Sequence, residues 1–122
     1  MRWLVVALGG ALGAMTRYGV ALAVARLWKR EFPLATLMIN VSGSFVVGFV
    51  AGIAAERASI DPLWRLLIVT GFVGAYTTFS TFELETHQLV KGGSVLPAIT
   101  YVLASVIAGF VAVQLGIAAG RR

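Results

Sequence analysis

Long uncharged stretches separated by short charged segments dominate this chain. Residues 32–55 contain no charged side chain over 24 positions, and residues 92–120 contain none over 29. A helix needs about 20 apolar residues to cross roughly 30 Å of hydrocarbon, because each residue adds about 1.5 Å. The pattern therefore predicts an all-α, multi-pass membrane protein with one domain over residues 1–122. Its four predicted spans are roughly residues 3–27, 33–55, 62–90 and 95–119.

Helix-start signals support these divisions. Pro33 and Pro62 stand where a first helical turn tolerates a missing N–H, and Asp61 is placed to cap the third span. Ser94, three residues before Pro97, is placed to cap the fourth span in the same way. Each predicted span from the second onward thus begins at a recognisable signal.

Composition changes the expected solvent rather than the predicted elements. The chain has 59% hydrophobic and 12% charged residues, whereas soluble domains carry about 25% charged residues. The ten basic side chains against five acidic ones are scattered between apolar runs, which is typical of loop charge and not of a nucleic-acid surface. With no cysteine, the chain has no disulfide, thiolate metal site or cysteine nucleophile. We therefore expect a lipid bilayer as its surroundings, in the cell (inner) membrane.

Basic residues are nearly balanced between the two predicted faces of the membrane. The side that holds both termini carries five: Arg2, Arg57, Arg65, Arg121 and Arg122. The opposite side carries four: Arg26, Lys29, Arg30 and Lys91. Since loop charge sets orientation, this balance predicts insertion in both orientations and an antiparallel homodimer. The alternative is that one residue, such as Arg2 or Arg30, fixes a single orientation.

The third span has a composition unlike the others. Residues 70–82 contain two glycines and five serine or threonine residues, in what would be the middle of a membrane helix. Glycine and threonine weaken a helix, and hydroxyls can replace lost backbone partners. We expect a break between Gly74 and Thr78, whose free carbonyls would suit a cation. The alternative is an unbroken helix in which the hydroxyls bond to its own carbonyls.

Aromatic and uncharged polar residues supply candidate chemistry for a small anion. Phe79 and Phe82 are three residues apart on one helical face, and the edge of an aromatic ring is positive. A pair at this spacing can equally be simple packing. Asn40 lies deep in the second span, and Tyr101 and Ser105 share a face of the fourth. These groups are uncharged donors that could replace water around an anion.

Charge and close-packing residues within the spans complete the picture. Arg17 lies about 21 Å along the helix from Trp3, too deep to reach that end of the membrane. It would attract anions in a wet vestibule or brace a helix end.

Small residues recur at a spacing that lets helices approach closely, and we interpret these as packing: Gly9 and Gly13, Gly48 and Gly52, and Ser105, Gly109, Ala112 and Gly116. Four helices cannot enclose a pore, so a conduction path must be shared between protomers.

Three motifs resemble those of the Fluc (CrcB) family of fluoride channels. They are GGALGAMTRY at 9–18, NVSGSF at 40–45 followed by Gly48, and GFVG at 71–74 followed by TTFSTF at 77–82. The resemblance covers all four spans and implies a passive fluoride exporter. It also implies an antiparallel, dual-topology homodimer with two pores and a structural sodium ion at its centre.

The resemblance assigns roles to individual residues. It implies a fluoride pathway of Arg17, Asn40, Phe79, Ser80, Thr81, Phe82, Glu85, Tyr101 and Ser105. The backbone carbonyls of Gly74 and Thr77 correspond to the sodium ligands. Ala75 and Tyr76 depart from the family, where a second glycine is common, but a backbone-held ion is little affected by that change.

Other functions fit the sequence less well. A small four-helix drug/proton antiporter needs an intramembrane carboxylate, and the first span offers Arg17 instead. An intramembrane hydrolase would have to use His87, the only histidine, and no nucleophile has a placed base, so we do not predict an enzyme. A purely structural membrane subunit is harder to exclude from sequence.

Overall fold

Helices account for nearly all of the chain that the structure describes. A computed structural model describes residues 1–57 and 60–122 and contains no strand within them. Its elements are α1 (Arg2–Leu27), α2 (Leu34–Glu56), α3 (Pro62–Arg65), the π-helix π1 (Leu66–Val73), α4 (Gly74–Tyr76), α5 (Phe79–Lys91) and α6 (Val95–Gly120). These bounds agree with the four predicted spans to within one residue at each end. The predicted all-α fold is confirmed.

Three of the helices are long and apolar enough to cross a membrane, namely α1, α2 and α6. The third span is assembled from α3, π1, α4 and α5 and is interrupted between the last two. Large apolar side chains such as Leu12, Leu103 and Phe110 are exposed on the outside of the bundle, where they would face lipid. The chain is a multi-pass membrane protein.

One of the predicted helix caps is present and the other is not. The Leu63 N–H donates to Asp61 Oδ1 at 2.9 Å, with Pro62 in the first helical position, as predicted. Ser94 stands at the N-cap of α6 but its side chain makes no capping bond. Instead, Ser94 Oγ donates to Glu31 Oε2 at 2.8 Å, so the capping prediction was wrong. A hydrogen bond to an ionised carboxylate is stronger than a neutral hydroxyl–amide bond, which favours this tertiary contact.

The π-helical geometry of Leu66–Val73 was not predicted. π-helical segments are rare in proteins, and those that occur often lie near functional sites. The four residues that open it, residues 66–69, are all apolar. Their hydropathy therefore carries no helical period that could distinguish i→i+5 from i→i+4 hydrogen bonding. This widened segment leads directly into α4 and the interruption of the span.

Two pairs of elements form the main packing of the protomer: α2 against α6, and α1 against π1 and α4. Glycines stand at both contacts. A Cβ added to Gly13 would collide with the carbonyl oxygen of Phe72, and one added to Gly48 would collide with that of Val113. Backbones can approach this closely only without a side chain between them, so these glycines are packing residues, as the sequence indicates.

Candidate functional site

The third span is broken where the sequence predicts a break. Thr77 (φ −80°, ψ 160°) and Thr78 (φ −152°, ψ 121°) are extended, between the end of α4 and the start of α5. Thr78 then caps the new helix, because its Oγ1 accepts a hydrogen bond from the Thr81 N–H at 3.2 Å. The predicted break between Gly74 and Thr78 is confirmed, and the alternative of an unbroken helix is wrong.

Asn40 of α2 pairs with the extended backbone at the break. Its Nδ2 donates to the Thr78 carbonyl at 3.0 Å, and the Thr78 N–H donates to its Oδ1 at 2.8 Å. The side chain therefore pairs the Thr78 N–H, which has no acceptor in the helix, and also bonds the Thr78 carbonyl, which begins α5 as the N-cap carbonyl. One N–H of the amide is left over, and this is the only donor that Asn40 could offer to an anion without releasing Thr78.

Two backbone carbonyls at the break are released from their helical partners. The Gly74 carbonyl would normally accept from the Thr78 N–H, which donates to Asn40 instead. The Thr77 carbonyl would accept from the Thr81 N–H, which donates to the Thr78 hydroxyl instead. Within residues 1–57 and 60–122, neither carbonyl accepts another backbone hydrogen bond outside a helix. Both oxygens are therefore available as ligands.

A second contact fixes the helical side of the break. The hydroxyls of Tyr76 and Ser42 lie 2.9 Å apart, and the Tyr76 ring stacks on Phe72 at 5.7 Å between centroids. Ser42 lies two residues after Asn40 on α2, so α2 holds the backbone on both sides of the interruption. The sequence does not predict this contact, because Ser42 and Tyr76 are 34 residues apart and no local pattern links them.

The surface around the break is open in the protomer. A cavity of about 320 Å³ reaches it, and its lining includes Asn40, Ser44, Thr77, Thr78 and Phe79. The next residues of α5 are also exposed, as is Gly74. Polar backbone at the middle of a membrane span thus lies on an uncovered face of the chain.

An aromatic line runs inward from this surface. The rings of Phe79 and Phe82 are 5.8 Å apart at 47°, and those of Phe82 and Tyr101 are 5.1 Å apart at 64°. Phe32 continues the line from Tyr101 at 5.5 Å and 75°. Burial rises along it, from 74% exposure at Phe79 to 7% at Phe82 and 0% at Tyr101. The two predicted phenylalanines are therefore in contact but in different surroundings.

Two buried hydroxyls lack a protein partner. Tyr101 Oη and Ser105 Oγ, one turn apart on α6, are buried and form no hydrogen bond within the described residues. An unsatisfied buried donor costs about 1–3 kcal/mol, which is unusual in a folded protein. These hydroxyls are therefore able to bind a small acceptor at the inner end of the aromatic line.

Glu85 lies one turn beyond Phe82 and is bound by a residue that sequence reasoning missed. The Thr36 hydroxyl, itself buried, donates to Glu85 Oε1. Thr36 precedes Asn40 by one turn of α2, so the same helical face reaches both α5 and the break. That four-residue spacing was the signal available in the sequence.

Arg17 lies on a helix that packs mainly against a different part of the third span from the one that carries Phe79, Phe82 and Glu85. It lies on α1, whose main contacts are with π1 and α4 and not with α5. Gly9 approaches Leu67 and Gly13 approaches Phe72, so the two helices advance in parallel. If α1 and the third span continue in this register, Arg17, one turn after Gly13, would reach the depth of Tyr76.

Comparison with known proteins identifies the chain's relatives. Residues 4–117 match the family described as "CrcB-like protein, Camphor Resistance (CrcB)". The chain belongs to the CrcB family. A relative from Acidobacterium capsulatum, named "Fluoride-specific ion channel FluC", is 44% identical over 100% of this chain and 98% of its own length. Proteins of the same name from Saccharophagus degradans and, as FluC 1, from Listeria innocua are 47% and 40% identical. They cover 94% and 96% of this chain, and 86% and 98% of the relatives.

The CrcB match includes the whole candidate site. Every residue of the break and the aromatic line lies within residues 4–117, and so do Arg17 and Glu85. The resemblance noted from the motifs is confirmed at the level of the family. The roles of individual residues in moving an ion stay predictions.

Proposed function

We propose that this CrcB-family chain is a fluoride-specific ion channel through which fluoride leaves the cytoplasm passively. The observation that carries the proposal is the aromatic line from Phe79 through Phe82 to Tyr101, which ends at buried hydroxyls without partners. The names of relatives at 40–47% identity over nearly the whole chain support fluoride as the ion. Conduction of an ion makes and breaks no covalent bond, so no catalytic residue is required.

The chemistry of the line suits a small anion. Stripping water from fluoride requires hydrogen-bond donors in its place, and Ser80, Thr81, Tyr101 and Ser105 are uncharged donors beside the rings. Ring edges add partial positive charge without a fixed cation that would retain the ion. Arg17, at the depth of the break, would raise the local concentration of anions without lying on the line itself.

The exposed break supports a homodimer. Irregular backbone at membrane depth is tolerated only when protein covers it or water reaches it. Gly74, Phe79, Ser80 and Thr81, which flank the irregular backbone, are all exposed in the protomer, and a second copy on this face would cover them. Five basic residues on one side against four on the other favour an antiparallel arrangement, which would give two equivalent pores.

The same face fits a structural sodium ion. Carbonyl oxygens suit hard cations, and the Gly74 and Thr77 carbonyls have lost their helical partners. Two copies would supply four oxygens at the centre of the dimer. The bound charge would offset carbonyl dipoles that otherwise repel one another. The ion would hold the two breaks together and would not be transported.

Reconstitution into liposomes separates this function from its main competitor. The purified protein should release internal fluoride down its gradient with no imposed proton gradient. A drug/proton antiporter would instead expel a cationic dye only when protons drive it. Proton-driven dye efflux without passive fluoride release would overturn the proposed function.

A further inference from the structure

A second cavity lies at the opposite end of α5 from the break. It occupies about 310 Å³ between the end of α1, the loop that joins α1 to α2, and the last turns of α5. Its polar lining consists of Arg30, Glu31, Glu85 and Gln88. Trp28, also in the lining, marks the level of the membrane interface, so the cavity opens where water is available.

The floor of this cavity meets the inner end of the aromatic line. Glu85 lines the cavity and is held by Thr36 on the other side. Phe32 also lines it and packs edge-on against Tyr101 at 5.5 Å. One layer of side chains therefore separates the cavity from the unpartnered Tyr101 hydroxyl. An ion that reached Tyr101 from Phe82 would meet this cavity next.

The loop at the mouth is held in place by its own contacts. Trp28 Nε1 donates to the Phe32 carbonyl at 2.8 Å, and the Ser94 hydroxyl donates to Glu31 at 2.8 Å. The Arg30 guanidinium carbon lies 5.5 Å from the centre of the Trp28 ring. The Trp28 ring, fixed by its hydrogen bond to Phe32, thus holds the Arg30 guanidinium at the rim of the cavity through a cation–π contact.

We propose that this cavity is the second mouth of the fluoride pathway and that Arg30 is its anion-attracting residue. The inference rests on the proposed function. The lining holds one guanidinium against two carboxylates, Glu31 and Glu85. Without Arg30, the only formal charges in the lining would be the two negative carboxylates. A cleft focuses the electrostatic field of its lining charges, so these carboxylates would then repel an entering anion. Arg30 therefore keeps the mouth passable to fluoride.

The test uses the full chain reconstituted in liposomes and measures the initial rate of fluoride efflux. Arg30→Gln should slow efflux at least about threefold at roughly 10 mM ionic strength, where charges act over about 30 Å. In about 1 M impermeant salt the rate should return to within about 1.5-fold of the parent, because screening then acts within about 3 Å. Arg30→Lys should behave like the parent at both ionic strengths.

Charge compensation and a matched control exclude a purely structural effect. The double variant Arg30→Gln with Glu31→Gln restores the formal charge of the lining and should recover the parent rate at low salt. Glu31→Gln alone should exceed the parent rate there, and this arm does not depend on the stability of the Arg30 variant. Lys91→Gln removes one positive charge from the same side of the membrane but outside the cavity lining, and it should slow efflux less than Arg30→Gln does.

Three results would overturn the inference while leaving the proposed function intact. They are a salt-independent defect in Arg30→Gln, no recovery in the double variant, and an equal defect in Lys91→Gln. A parent protein that releases no fluoride would instead contradict the proposed function.

Discussion

Asn40 bonds both backbone groups of Thr78, with Nδ2 3.0 Å from the carbonyl oxygen and Oδ1 2.8 Å from the amide nitrogen. A side-chain amide is the one group that can donate and accept in this way from a single fixed position. The break in the third span is thus specified from the second span and not only by its own sequence. Substitution of Asn40 should therefore change the geometry of the break without altering any residue of the third span.

Replacement of Asn40 should destabilise the break. Asn40→Leu keeps the size of the side chain but leaves the Thr78 N–H unpaired and removes one hydrogen bond from the Thr78 carbonyl, which should cost about 1–3 kcal/mol for the unpaired N–H. Asn40→Asp keeps the acceptor but places a carboxyl group against the Thr78 carbonyl at membrane depth, so it should also be destabilising. Thermal unfolding in detergent should show both variants unfolding below the parent. Ser44→Ala, in the same cavity, is the control and should resemble the parent. Equal stability of Asn40→Leu and the parent would contradict this role.

Phe79 and Phe82 should affect conduction alike but stability differently. Isoleucine removes the positive ring edge at either position, so fluoride efflux should fall at least about tenfold, which corresponds to about 1.4 kcal/mol in the barrier. Phe79 is 74% exposed and Phe82 is 7% exposed against Tyr101, so only Phe82→Ile should lower the unfolding temperature of the protomer. Phe110→Ile, an exposed ring away from the line, controls for loss of any phenylalanine. Normal efflux through both variants would place the pathway elsewhere.

Close packing of α1 against the third span depends on Gly13. Gly13→Ala would place a methyl group against the Phe72 carbonyl and should cost about 1–3 kcal/mol, as overpacking usually does. Gly19 lies on the same helix with no atom near its added Cβ, so Gly19→Ala should be neutral or slightly stabilising. Unfolding of the two variants, compared side by side, checks this difference. Equal stabilities would show that α1 does not pack as described.

Sodium should support assembly and not flux itself. Exchange of all Na⁺ for a large organic cation, under conditions that let the dimer open, should lower the dimer fraction and fluoride efflux together. Readdition of Na⁺ should restore both, because the proposed ligands are backbone carbonyls that remain in the chain. Size-exclusion profiles and efflux traces on the same sample measure the two effects. Indifference of both to Na⁺ would remove Gly74 and Thr77 from the proposed site.

Local features of the sequence were sufficient to predict the spans and the break. Uncharged runs set the helix bounds, and Asp61 and Pro62 set the start of the third span. The weak helix formers Gly74, Thr77 and Thr78 set its interruption. Each of these signals acts within a few residues of its effect. Membrane proteins are favourable in this respect, because lipid requires each segment to satisfy its own backbone.

Tertiary contacts could not be predicted in the same way. Ser94 bonds Glu31 over 63 residues, Thr36 bonds Glu85 over 49, and Asn40 bonds Thr78 over 38. Side-chain type showed that each could form a hydrogen bond but not with which partner. The π-helical segment was missed because its uniformly apolar opening has no periodicity to read.

Ion-selective recording from proteoliposomes tests the proposed channel most directly. Liposomes loaded with equal fluoride and chloride are made permeable to K⁺ by an ionophore, and electrodes follow each anion as it leaves. The parent protein should release fluoride rapidly and retain chloride, and Phe82→Ile should abolish most of the fluoride signal. Equal release of the two anions, or no release of fluoride above protein-free liposomes, would contradict a fluoride-specific channel.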